Sequence, residues 1–93
     1  MSAKAKLLEV LTETRGLLSL RTNDFIWSSW EDAEAALEEI NDFIYKIDND
    51  LKFNRLTLRA LYAATGPIGE VALSSGWADE YLKVASKFDT AIA

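Results

Sequence analysis

Large apolar residues recur every three or four positions between residues 26 and 51, and this spacing constrains the fold more than any other feature. Such spacing places side chains on one stripe of an α-helix. A β-strand would divide the same residues between its two faces. Ala36 and Phe43 lie beside the stripe and widen it. The members of the stripe are Ile26, Trp30, Ala33, Leu37, Ile40, Ile44, Ile47 and Leu51. The sequence therefore predicts a long amphipathic helix around which the rest of the chain is organised.

Two serines mark the start of this middle helix. Ser28 and Ser29 are each followed three residues later by an acid, Glu31 or Asp32, which is the arrangement of a capping box. Acids in the first turn also suit the positive end of the helix dipole. We therefore expect the regular helix to begin near Trp30.

The remaining segments also show helical spacing or helix boundaries. Leucines recur at helical spacing in residues 3–20, and a second regular stripe in residues 77–92 is expected to pair with the middle helix. An amphipathic segment over residues 52–64 ends before Gly66 and Pro67, where a short helix begins. No run alternates in the manner of a strand. These features predict an all-α fold, in which residues 1–93 form a single helical domain. We expect a compact four- to five-helix bundle with a broken helix near residues 64–76.

The composition restricts the chemistry that is open to this chain. It contains no cysteine and no histidine, so it lacks thiolates and the commonest general base at neutral pH. Its apolar runs are far shorter than the ~20 residues of a membrane span, and no apolar stretch of the signal-peptide kind follows the first basic residues. We expect a cytoplasmic protein with no cofactor and no membrane partner.

Charge is distributed unevenly along the chain. The net charge is −5, but residues 22–51 carry nine acids and one base. Such a surface should repel nucleic acid. Lys52, Arg55 and Arg59 follow the acidic segment directly. Two interpretations stay open: these bases neutralise the acidic helix, or the acidic face remains available to a partner.

Four of the acids share one side of the middle helix, at spacings of three and four residues. We name these residues, Glu31, Glu34, Glu38 and Asp42, the acidic row. The row resembles the magnesium-binding carboxylates of all-α nucleotide pyrophosphohydrolases. In that family the carboxylates come from more than one helix and converge in a pocket, which suits the octahedral coordination of Mg²⁺. The resemblance implies an alternative function: divalent-metal-dependent processing of a small ligand or nucleotide. The residues themselves indicate no metal site, because the row lies on one helix.

Aromatic residues and chain breaks indicate two further sites. Trp27 and Trp30 crowd one end of the middle helix, and aromatic side chains left on a surface favour an interface. The two adjacent breaks after residue 64 are more elaborate than a bundle requires. We therefore expect any small pocket to lie there, lined by Arg59, Tyr62, Thr65, Gly66 and Trp77.

Taken together, the residues favour binding over chemistry. The first hypothesis is a non-catalytic, acidic helical interaction protein, such as an adaptor, an inhibitor or an immunity-like protein. Its partner would be a protein, of basic character, or a second copy of the chain in a homodimer. The predicted partner-binding residues are the acidic row together with Trp27 and Trp30.

Overall fold

Five α-helices make up the structure, which is a computed structural model that describes residues 2–93. No β-strand occurs within that range. This confirms the predicted all-α bundle, and the breaks at residues 63–66 and 76–77 confirm the interruption expected near residues 64–76. The helices are α1 (Ala3–Leu18), α2 (Ala33–Asp48), α3 (Arg55–Tyr62), α4 (Pro67–Ser75) and α5 (Ala78–Ile92).

Helix α1, and not the acidic helix α2, lies in the middle of the bundle. It packs extensively against α2 and against α5, while α5 also packs against α4, and α4 packs against α3. The expected pairing of the last helix with the acidic helix is therefore wrong, because α1 takes the place between them. The reason is the breadth of the buried face of α1, where Val10 lies beside the line formed by Leu7, Leu11, Thr14 and Leu18.

The buried line of α2 is displaced from the stripe that the sequence indicates. Ala36 and Phe43, which were predicted beside the stripe, lie in the core. By contrast, Leu37 and Ile44 are only half-buried and Leu51 is exposed. The buried residues of α2 are Ala36, Ile40, Phe43 and Ile47. They recur at helical spacing on one face. The opposite face, which carries the acids, is left in water.

The regular part of α2 begins at Ala33, three residues later than the sequence predicts. Asp32 is the N-cap residue, and its carboxylate accepts a hydrogen bond of 2.9 Å from the Ala35 N–H. Ser28, a predicted cap, instead accepts a hydrogen bond of 3.2 Å from the Trp30 N–H and donates one of 3.4 Å to the Pro67 carbonyl. Tertiary contact with α4 thus holds Ser28 in the preceding loop.

A left-handed residue, Asp50, follows the C-cap of helix α2. Asp50 has a φ of 56°, and the following Leu51 N–H donates a hydrogen bond of 2.8 Å back to the Lys46 carbonyl. Glycine usually occupies such a position because a Cβ atom is strained there. The Asp50 carboxylate forms an exposed ion pair of 3.2 Å with Lys4, and exposed ion pairs contribute little.

We predict that Asp50→Gly is more stable than Asp50→Ala by about 1 kcal/mol, because only alanine retains the left-handed strain. Both variants lose the same ion pair with Lys4, so each is the control for the other. The free energy of unfolding in urea measures the difference. An alanine variant as stable as the glycine variant would contradict the assignment of strain to Asp50.

Candidate functional site

The acidic row is exposed along its whole length. Glu31 precedes α2, and Glu34, Glu38 and Asp42 follow on the solvent-facing side of the helix. Within residues 2–93, Asp42 is the only member in an ion pair, 2.9 Å from Lys46 on the same helix. Consecutive members on α2 are four residues apart, which is a rise of about 6 Å. The row is therefore a rigid line of carboxylates in water.

The basic residues that follow α2 do not neutralise the row. Phe53 packs edge-on against Phe43, on the buried side of α2, with ring centroids 6.4 Å apart. Arg55 lies over the Phe53 ring at 5.3 Å and donates a hydrogen bond of 3.3 Å to the Ile92 carbonyl. Arg59 lies beside α5. The chain thus turns Arg55 and Arg59 away from the acids that precede them in sequence.

The geometry of the row does not favour a metal site. Among residues 2–93, no three acidic side chains converge in a way that would hold a metal ion. A single line of carboxylates on one helix leaves each oxygen pointing outward, whereas Mg²⁺ requires ligands from several directions. The metal-dependent alternative therefore gains no support from the arrangement of Glu31, Glu34, Glu38 and Asp42.

The two tryptophans before α2 have different environments. Trp27 is 73% exposed, whereas Trp30 is 6% exposed and belongs to the core. The Trp30 indole N–H donates a hydrogen bond of 2.9 Å to Glu39. Trp30 therefore anchors the loop to α2, and its ring offers no surface to a partner. The apolar spacing does not predict this difference, because Ile26 belongs to the same predicted stripe as Trp30 and is 79% exposed.

A groove of about 490 Å³ separates α3 from α5. Two predicted pocket residues, Arg59 and Tyr62, line it, and Asp89 lies on the opposite wall. The residues of α5 were not among the predicted pocket residues, although several of them belong to the apolar stripe of that helix. The α5 side of the groove is formed by Tyr81, Ala85, Phe88, Asp89 and Ile92.

The other three predicted pocket residues lie elsewhere. Thr65 is exposed in the turn after α3. Gly66 is the N-cap of α4, where a Cβ atom would collide with the Ala60 carbonyl oxygen, so glycine is required for packing. Trp77 is buried, and its indole N–H donates a hydrogen bond of 2.7 Å to Asn23. The breaks near residues 64–76 therefore do not gather these residues into one pocket.

The tyrosine hydroxyls beneath the groove are committed to internal hydrogen bonds. The Thr14 hydroxyl donates to the Val10 carbonyl at 2.9 Å, so the Tyr62 hydroxyl is the donor in its 2.6 Å hydrogen bond to Thr14. The Tyr81 hydroxyl contacts the carbonyls of Tyr62 and Ala63, each at 3.0 Å. The Tyr62 ring also stacks on Phe88, with centroids 4.0 Å apart. These groups join α1, α3 and α5 and leave no hydroxyl free for a ligand.

Burial raises the pKa of the Tyr62 phenol. The hydrogen bond with Thr14 lowers this pKa to a smaller extent, and the Glu13 carboxylate raises it. Burial, followed by the charge of Asp89, also raises the pKa of Tyr81. Both phenols are therefore neutral structural groups at neutral pH.

The comparisons with known proteins place this chain in no group. It matches no protein-family description, no curated protein and no solved structure. No helix within residues 2–93 has the length and apolar character needed to cross a bilayer. Any functional inference therefore depends on the surfaces described above.

We predict that Thr14→Val destabilises the protein more than Tyr62→Phe. The phenylalanine variant loses one hydrogen bond, at a cost of about 1 kcal/mol, and Thr14 keeps its bond to Val10. The valine variant leaves the buried phenol without a partner, at a cost of about 1–3 kcal/mol. Urea unfolding of both variants measures the difference, and the reverse order would show that Tyr62 does not depend on Thr14.

We also predict that stability falls as the pH rises above 10. The unfolded phenol of Tyr62 loses its proton near its ordinary pKa of 10.0, whereas the folded phenol keeps it to higher pH. Above pH 10 the unfolded state therefore binds fewer protons than the folded state. The contribution of Tyr62 to the free energy of unfolding is complete below pH 10 and is lost above it. Tyr62→Phe should reduce the slope of unfolding free energy against pH between 10 and 11. Tyr45→Phe, which removes an exposed phenol, is the matched control. This variant should retain the slope of the wild type.

Proposed function

We propose that this protein is a non-catalytic interaction protein that binds a basic protein partner through the acidic row. An inhibitor, an immunity-like protein or an adaptor would act in this way. The observation that carries the proposal is the isolation of the row from the bases of its own chain. From residue 22 to residue 45 there are seven acids and no base, and of the row only Asp42 has a partner within residues 2–93.

Regular geometry supports binding by electrostatic complementarity. Exposed charges held at fixed intervals on a helix steer an oppositely charged partner and favour one orientation of it. Because the row lies on the wet side of α2, binding there leaves the core of α1 and α2 intact. We propose the cytoplasm as the setting, because the cysteine-free composition does not rely on the disulfides common in exported small domains.

Neutralisation of the row tests the proposal. The row variant carries Glu31→Gln, Glu34→Gln, Glu38→Gln and Asp42→Asn. The control variant neutralises four exposed acids elsewhere, Glu9, Asp79, Glu80 and Asp89, and so carries the same net charge. We expect the wild type and the control variant to capture the same protein from extract at low salt. The row variant should capture at least about tenfold less of that protein. Capture should also weaken as salt screens the row.

Two outcomes would contradict the proposed function. One is equal loss of binding in the row variant and the control variant, which would show that net charge alone is responsible. The other is a strict monomer by light scattering that captures nothing specific even at low salt. Thermal unfolding of each variant verifies that the substitutions leave the protein folded.

A further inference from the structure

Ile26 and Trp27 occupy the tip of a β-turn. The turn runs from residue 25 to residue 28, and it is closed by a hydrogen bond of 3.1 Å from the Ser28 N–H to the Phe25 carbonyl. The two central positions of such turns usually take glycine, proline, asparagine, aspartate or serine. Here they carry two large apolar side chains, 79% and 73% exposed. Most of the surface of both side chains therefore stays in water and contributes little to the packing of the fold.

The turn is held firmly against α4. The Asp24 carboxylate accepts a hydrogen bond of 2.9 Å from the Ile26 N–H, and the Asp24 N–H donates one of 2.8 Å to the Ser75 hydroxyl. Ser28 joins the other side of the turn to Pro67, as described above. Phe25 packs against the core and Trp30 lies within it. The tip of the turn is therefore exposed on a fixed base, and a preorganised contact loses little entropy on binding.

The length of the connection between α1 and α2 is unusual. It runs over residues 19–32, whereas helix–helix connections in bundles commonly take about 2–8 residues, and longer ones are usually functional or disordered. This connection is ordered by the hydrogen bonds to α4. Trp27, at the tip of the turn, precedes the first residue of the acidic helix, Ala33, by six residues.

We propose that Ile26 and Trp27 form an apolar anchor that, together with the acidic row, binds a basic amphipathic helix of a partner protein. This inference rests on the proposed function and names the chemistry of the partner. Tryptophan is enriched among the residues that dominate binding energy at interfaces. Because residues 22–45 of the sequence carry seven acids and no base, the proposed complement of the anchor is an apolar surface bordered by lysine or arginine.

Charge argues against a second copy of the chain as the occupant. A symmetric dimer brings the same patch of both molecules together. Residues 22–51 would then face each other, with nine acids and one base on each side. Like charges opposed across an interface are costly. A basic partner meets the same surface with attraction.

Two synthetic peptides of one composition provide the test. Both contain leucine and lysine and are about 18 residues long, which is five helical turns. In the amphipathic peptide leucine recurs at helical spacing, and in the dispersed peptide it does not. Trp27 is the reporter, because Trp30 and Trp77 are only 6% and 5% exposed. Anisotropy of labelled peptide gives affinities for variants that lack Trp27.

We expect the amphipathic peptide to bind at least about tenfold more tightly than the dispersed peptide, which is about 1.4 kcal/mol, and to shift Trp27 emission to the blue. Trp27→Ala should abolish this preference and leave affinity for the dispersed peptide unchanged. Leu82→Ala, which removes an exposed apolar side chain elsewhere on the surface, should keep the preference. Thermal unfolding verifies that both variants fold.

The possible failures are distinguishable. If both peptides bind with equal affinity and the row variant binds both of them more weakly, the proposed function stands and the proposal of an apolar anchor is wrong. If neither peptide binds at low salt, both proposals fail. Retention of the preference by Trp27→Ala would overturn the role of the anchor. Sedimentation that shows a dimer of the chain lost on Trp27→Ala would overturn the choice of a basic partner.

Discussion

Helix α1 carries a buried face too broad for one neighbour to cover, and the arrangement of the other helices depends on this constraint. Leu11, Thr14 and Leu18 have no exposed surface, and they require cover from both α2 and α5. Helices α4 and α3 then complete the bundle on the side of α5. The hydrogen bond between Thr14 and Tyr62 ties α1 to α3, so one polar contact spans the apolar junction.

The acidic surface is a consequence of this packing. Because α1 contacts one side of α2, the other side remains in water with its carboxylates. Arg55 and Arg59 do not neutralise it, since the contact of Phe53 with Phe43 directs that segment along the buried side. Charge segregation along the sequence thus becomes charge segregation in space. We propose that a surface of this kind serves the recognition of an oppositely charged protein.

The connection between α1 and α2 adds an apolar element to that surface. Trp30 is drawn into the core and Trp27 is held out of it, although only two residues separate them. The difference arises because Ser28, Asp24 and their partners on α4 fix the turn that carries Trp27. Charge supplies attraction over distance, and a preorganised apolar contact supplies selectivity at short range. The two features together define the type of partner that we propose.

The sequence by itself determined the helical class, the breaks at residues 63–66 and 76–77, and the acidic side of α2. These features depend on periodicity and turn chemistry, which are local properties of the chain. Only the tertiary structure decided that α1 is central, that Ser28 does not cap α2, and that Trp30 is buried while Trp27 is exposed. It also decided that Arg59 and Tyr62 face α5 residues across a groove while Trp77 contacts Asn23. Each of these outcomes depends on contacts between residues far apart in sequence, and a repeating pattern along one helix does not specify which neighbour covers it.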